Sequence, residues 1–155
     1  MFSRKVTAGD ICTRIVSIAF PGLSIEEAAR VMRDQRVGSL VVVEETAPGE
    51  RQIVGMLTDR DLVTGVLAAQ KDPHGLRVAD VMTRSVVTAR EEDSMLDVLA
   101  TMRRKGVRRV PVVGPHDRLI GVMAIDDVLE TVAEEMQALA TAVTAAQRHE
   151  EVQPR

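Results

Sequence analysis

Asp10-Ile11-Cys12-Thr13-Arg14 returns seventy residues later as Asp80-Val81-Met82-Thr83-Arg84, and this recurrence decides the fold. The register then holds without a gap: Val16 falls on Val86, Ser24 on Ser94, Met32-Arg33 on Met102-Arg103, and Val42-Val43 on Val112-Val113. About a third of these positions are identical. A shorter connection in the second copy changes the offset to sixty-six, so that Ile53-Val54-Gly55-Met56-Leu57 matches Leu119-Ile120-Gly121-Val122-Met123 and Asp61 matches Asp127. Self-similarity of this kind is the mark of one structural unit present twice.

Each copy reads as β-α-β-β-α. A short β-branched piece (Ile15 to Ile18; Val86 to Thr88) precedes a helix with an N-cap signature, Ser24 with Glu27 or Ser94 with Asp97, and apolar residues at helical spacing. Continuous apolar runs, Leu40 to Val43 and Val110 to Val113, have the length of buried strands. Turn residues follow (Thr46 to Gly49; Gly114 to Asp117), then a second strand (Gln52 to Leu57; Leu119 to Met123) and at once a second helix. Lys71 to Gly75 breaks the chain between copies. So small a sheet with two helices buries too little surface alone, so the fold expected is α+β, two pseudo-symmetric units packed as one module. The units span residues 8–70 and 80–133, with a linker at 71–79 and a helical extension and tail at 134–155. That last helix carries Leu129, Val132, Met136, Leu139, Val143 and Ala146 alternately three and four apart. Beyond Met136 it should outrun the sheet and meet a partner helix.

Composition narrows the chemistry. With 45% apolar and 28% charged residues the chain is of globular type, and no run of about 18 apolar residues is long enough to span a bilayer. Met1 to Val6 begins positively charged but has no apolar run behind it, unlike a secretory leader. A single cysteine, Cys12, precludes an internal disulfide, which points to the cytoplasm. The net charge of −3 argues against nucleic acid as partner. Two Phe with no Tyr or Trp leave no aromatic platform, so a planar ligand would be held by aliphatic side chains and backbone. His74, His116 and His149 lack metal-ligand spacing, and no nucleophile or phosphate-loop motif is present, so neither a metal site nor catalysis is expected.

Gly55-Met56-Leu57-Thr58-Asp59-Arg60-Asp61-Leu62 is the segment richest in chemistry. Thr58 and Asp61 have capping-box spacing, and satisfying orphan amides would explain them fully. Their placement adds a second reading. A helix that follows its strand directly opens beside the strand's carboxyl end, where amides favour anions. There a carboxylate can accept both ribose hydroxyls while the threonine faces a phosphate.

The duplicated unit resembles a pair of cystathionine-β-synthase (CBS) domains. The resemblance rests on Gly106 to Val113 before the second hairpin, Gly55 to Leu62 after the first, and Asp80-Val81-Met82-Thr83, and it covers about residues 8 to 133. It implies a central cleft with two potential sites for adenosine-containing ligands, dimerisation, and regulation of another protein by what would be a stand-alone pair. Residue by residue, Thr58 and Asp61 match the family's ribose and phosphate motif. Asp127 matches the carboxylate in the second copy, where Ala124 replaces the usual hydroxyl residue. Arg108 matches a phosphate-contacting position whose first-copy equivalent is Gly38, and Val41 stands where the second copy has Pro111. Thr13, Thr83, Val16, Val86, Val37 and Val107 match the segments lining the base pocket, or serve as ordinary packing. Arg60 and Arg109 are weaker candidates, and strand alternation should allow only one of Arg108 and Arg109 to face the cleft. On this reading the two half-sites are defective in complementary ways.

The function expected is therefore a non-catalytic sensor, a homodimer that needs no cofactor and binds an adenine nucleotide (AMP, ADP or ATP) as regulatory ligand for an unidentified partner protein. The alternative is a structural or interaction module whose degenerate sites bind nothing.

Overall fold

The structure is a computed structural model that describes residues 5–152. Residues 1–4 of the positively charged N-terminal stretch and the last three residues of the C-terminal tail lie outside the described residues. The first copy contains α1 (Ala8–Ile11), β1 (Ile18–Ala19), α2 (Ile25–Gln35), β2 (Ser39–Ala47), β3 (Glu50–Thr58) and α3 (Asp59–Leu62), which continues as a π-helical turn over Val63–Leu67. The second repeats it: α4 (Val78–Val81), β4 (Ala89–Arg90), α5 (Met95–Lys105), β5 (Arg109–Val113), β6 (Leu119–Ala124) and α6 (Ile125–Val152). Each copy forms a three-stranded sheet, ordered β1-β2-β3 and β4-β5-β6. In both, the first strand runs parallel to the second and the hairpin is antiparallel, with a bulge at the same place, after Val42 and after Val112.

The first hairpin is longer than the apolar run suggested. β2 extends through Ala47 and β3 begins at Glu50, leaving Pro48-Gly49 as the turn. The opening strands are shorter and later than the β-branched pieces, at Ile18–Ala19 and Ala89–Arg90, and the segments further upstream, through Thr13 and Thr83, are engaged with the other copy.

That engagement is the organising feature of the fold. The opening segment of each copy packs into the core of the other. Ala8 is fully buried with Met95, Val98, Met102, Val110, Val112, Met123 and Val128 of the second copy. Val78 and Met82 are buried with Ala28, Met32, Leu40, Val42 and Leu57 of the first. Backbone bonds tie down each exchange: Ala8 N donates to Asp93 O at 2.8 Å, and Val78 N donates to Leu23 O at 2.8 Å. Beyond α1, Thr13 pairs with Val122 on β6; beyond α4, Thr83 pairs with Met56 on β3. The repeated strand glycines make this crossing feasible. A Cβ on Gly55 would lie 2.6 Å from Met82 Sδ and 2.9 Å from Thr83 O, and one on Gly121 would lie 2.7 Å from Cys12 Sγ and 2.8 Å from Thr13 O. Only a residue without a side chain lets a second backbone pass so close. Neither copy completes its core alone.

The exchange also alters the helix caps expected from sequence. Ser24 and Ser94 accept from the amides of Glu27 and Asp97, but reciprocal capping boxes form at Thr7–Asp10 and Thr58–Asp61 instead. Ser24 and Ser94 are paired across the exchange with Arg77 and Thr7, which occupies their backbone. Glu27 takes the Ser24 hydroxyl at 3.1 Å rather than its amide.

Candidate functional site

β3 ends at Thr58 and α3 starts at Asp59 with no intervening loop, so the strand end and the helix start share one corner. Asp61 Oδ2 accepts from Thr58 N at 2.9 Å, and Thr58 Oγ1 accepts from Asp61 N at 3.1 Å. In the second copy Asp127 Oδ2 accepts from Ala124 N at 2.8 Å, which is half of the same box. The missing half is the hydroxyl that Ala124 cannot supply.

These corners open onto two clefts between the copies. The larger, about 560 Å³, is lined by Thr58, Asp59 and Arg60 from the first copy's corner. Thr83, Ser85, Val86 and Val87 come from the second copy's opening segment, and Gly106, Val107, Arg108 and Arg109 from its helix-to-strand junction. Gly38, Ser39, Met56, Ala124, Ile125 and Asp126 complete the wall. The smaller cleft, about 260 Å³, contains Thr13, Ile15, Val16 and Ser17 with Val37, Ser39 and Val41, closed by Val122, Ala124, Asp126, Asp127 and Arg109.

Of the residues singled out from sequence, Thr58, Arg60, Thr83, Val86, Val107 and Arg108 thus meet in the larger cleft, and Thr13, Val16, Val37 and Asp127 in the smaller. Asp61 stands half-buried behind Thr58 and lines neither, although its Oδ1 has no partner among the described residues.

This sorting regroups positions that the sequence reading assigned copy by copy. Because the opening segments cross over, Thr58 of the first copy, with Asp61 behind it, shares a cleft with Arg108 of the second. The other cleft has Val37, Ser39 and Val41 of the first-copy junction, while Gly38 lines the larger cleft and Ala124 lines both. The larger cleft therefore joins the Thr58 hydroxyl to Arg108, whereas the smaller has Asp127 and Arg109 but neither Thr58 nor Arg108. The expectation that only one of Arg108 and Arg109 faces the cleft is corrected. Both line it, because Arg108 precedes β5 and strand alternation does not govern it.

Sequence reading passed over Ser39, Asp59, Ser85 and Val87, which line the larger cleft as well. Ser39 directly follows Gly38, the partner position of Arg108, and that adjacency was the available signal. Ser39 Oγ accepts from Arg109 Nη1 at 3.5 Å. Asp59 Oδ1 accepts from Arg60 N at 2.8 Å, and its Oδ2 would lie 3.1 Å from a Cβ at Gly38. The first copy thus places a carboxylate where a side chain at position 38 would go. Among the described residues, Arg60, Arg108 and Arg109 form no ion pair with a carboxylate. Three unpaired guanidinium groups beside aliphatic walls suit a ligand with an anionic end and a flat apolar body.

Cys12 is half-buried at the Gly121 crossing, and burial pushes its thiol above the ordinary value, only partly offset by Arg14. No three His, Cys, Asp or Glu side chains converge to hold a metal among the described residues. No described helix is long and apolar enough to cross a membrane.

Comparison with known proteins agrees with this architecture. The family model for the CBS domain matches residues 8–68 and 78–134. An uncharacterised protein of Methanopyrus kandleri is 32% identical over 141 residues, covering 86% of this chain and 70% of that one. Hypoxic response protein 1 of Mycobacterium tuberculosis is 32% identical over 122 residues, 79% of this chain and 82% of that protein. A crystal structure of Hypoxic Response Protein I with two coordinated zinc ions superposes with a TM-score of 0.71 at 30% identity, covering 81% of this chain and 98% of that one. The CBS domain pair of protein MJ0100, solved with 5'-methylthioadenosine and S-adenosyl-L-methionine, has a TM-score of 0.73 at 26% identity, covering 84% and 98%.

Proposed function

The chain belongs to the CBS-domain family, and from that premise we propose that it is a non-catalytic regulatory module whose larger cleft binds one adenine nucleotide. The observation that carries this is the convergence of Thr58, with Asp61 behind it, and Arg60, Arg108 and Arg109 on one cavity from two copies of the repeat. The guanidinium groups take the phosphates and the Thr58–Asp61 corner takes the ribose. Val86, Val87 and Val107 clamp the base, a task aliphatic side chains must perform in a chain without Trp or Tyr. The cleft has the volume of an ordinary small-molecule site, roughly 300–1,000 Å³. The MJ0100 pair, which was solved with two adenosine derivatives, supports the ligand class.

The alternative, a module that binds nothing, is favoured by one observation in the smaller cleft only. There Ala124 stands beside Asp127 where the first copy has Thr58, and Arg109 but not Arg108 lines the cavity. We therefore assign one ligand per chain, a self-associating module in the cytoplasm, and a partner protein that senses occupancy, with units at 8–70 and 80–133.

Calorimetric titration with AMP, ADP, ATP, 5'-methylthioadenosine and S-adenosylmethionine tests the assignment. One equivalent should bind, and the phosphorylated ligands should bind tightest. A ligand at about a hundred times its dissociation constant adds ~2.7 kcal/mol to folding stability, so a dye-reported melt gives an independent readout. No heat and no shift with any of the five at millimolar concentration would leave the structural reading standing.

A further inference from the structure

α6 runs 28 residues, and the body of the protein covers only its start. Val128 is its one buried residue. Leu129, Met136 and Leu139 are 63–67% exposed, and Val132 and Val143 are 40–50% exposed. These are large apolar side chains in a single line, and nothing among the described residues lies over them.

Three features of that line identify what does. Its spacing alternates three and four, the seam of a helix meeting one other helix, whereas a helix covering a sheet needs a wider apolar arc. Beside the seam lie Ala133, Ala140 and Gln147 on one side and Glu135 and Ala142 on the other, so a second backbone can approach closely at the alanines. The opposite face is already satisfied: Thr141 Oγ1 donates to Gln137 O at 2.9 Å and Thr144 Oγ1 to Ala140 O at 3.0 Å. The five exposed residues offer roughly 500 Å² per copy, most of the ~800 Å² per partner of a stable interface before the alanines are added.

Charge sets the direction. Asp126, Asp127, Glu130, Glu134 and Glu135 crowd the first third of the helix with no basic residue among them. Met136 to Gln147 carries no charge, and the only basic groups, Arg148 and His149, come at the far end beside Glu150 and Glu151. Antiparallel pairing of the seam sets Arg148 opposite Asp127 of a second copy of this chain. Parallel pairing in register would set all five carboxylates against their copies. Antiparallel pairing of the seam, centred between Gln137 and Ala138, leaves Glu134 and Glu135 roughly 8–10 Å from their copies along the axis but moves Asp126, Asp127 and Glu130 roughly 20–35 Å away, at 1.5 Å per residue. That larger separation is well beyond the screening length of about 8 Å at physiological salt.

We propose that the exposed seam of α6, from Leu129 to Ala146, docks on the same seam of a second copy of this chain in antiparallel orientation. This names the surface for the self-association proposed above and does not depend on the nucleotide cleft. The test uses the full chain. By light scattering the unmodified protein should be a dimer, and Leu139→Glu with Val143→Glu should halve the mass while the thermal transition stays cooperative. Gln137→Glu with Thr141→Glu, on the opposite face, should remain dimeric. For direction, a nitroxide at position 148 (Arg148→Cys in a Cys12→Ser background) should read about 30 Å to its copy, against about 10 Å for a parallel pair. A monomeric unmodified protein, a dimer that survives the seam substitutions, or the short distance would each overturn the proposal.

Discussion

Asp61→Asn tests whether the carboxylate at the head of α3 holds a ligand or only its own helix. In the structure Asp61 Oδ2 accepts the Thr58 amide at 2.9 Å, and an asparagine carbonyl can do the same. The loss as a cap should therefore be at most ~1 kcal/mol. As a ribose acceptor the change removes a charge-assisted bond, worth ~1.5–3 kcal/mol. At 1.4 kcal/mol per decade, affinity for AMP or ATP should fall roughly ten- to hundredfold. The structure supplies the matched control. Thr7 and Asp10 form the same reciprocal box, at 3.0 and 3.3 Å, and Asp10 lines neither cleft. Asp10→Asn should lower the melting temperature about as much and leave affinity alone. Glu27→Gln, the control that sequence spacing suggests, is inferior because Glu27 does not close a box. Affinity comes from calorimetric titration and stability from a dye-reported melt, since the chain lacks Trp and Tyr. If both substitutions lower stability alike and nucleotide affinity is untouched, Asp61 is a cap and the ribose assignment is wrong.

Arg108→Ala should weaken ATP and AMP binding by roughly tenfold or more while leaving 5'-methylthioadenosine nearly unaffected, because only the phosphorylated ligands use a charge-assisted bond to arginine; equal losses by calorimetry would mean the residue shapes the cleft instead. Gly55→Ala puts a methyl 2.9 Å from the Thr83 carbonyl, so the exchanged segment must shift. Overpacking of this kind costs ~1–3 kcal/mol, read as a lower midpoint in urea, and an unchanged midpoint would show that the crossing is loose. Burial raises the Cys12 pKa, so at pH 8 less thiolate is present than on a free cysteine. Iodoacetamide labelling of the native protein should be slower than labelling in urea, and its rate should keep rising above pH 9.

What the sequence determined by itself was whatever depends on local chemistry. The duplication, the order of elements in each copy, the apolar strands at Leu40 to Val43 and Val110 to Val113, and a last helix that outruns its sheet were all legible. Hydrophobic period, turn residues and caps act over a few positions, and each copy carries them independently. The partnership between copies was not legible. Asp10 to Arg14 and Asp80 to Arg84 look alike, and no local rule says whether each closes its own unit or the other's. Tertiary packing decides it: Ala8 and Val78 can be buried only across the exchange, over Gly121 and Gly55, where the missing side chains leave room. That choice carries the candidate site with it. Read along the chain, Thr58 belongs with Gly38 and Ala124 with Arg108, which makes two damaged sites. In the folded protein all four positions line one cleft, where Thr58 meets Arg108, because contacts between residues some fifty positions apart are set by which surfaces must be buried together, and spacing in the sequence does not record that.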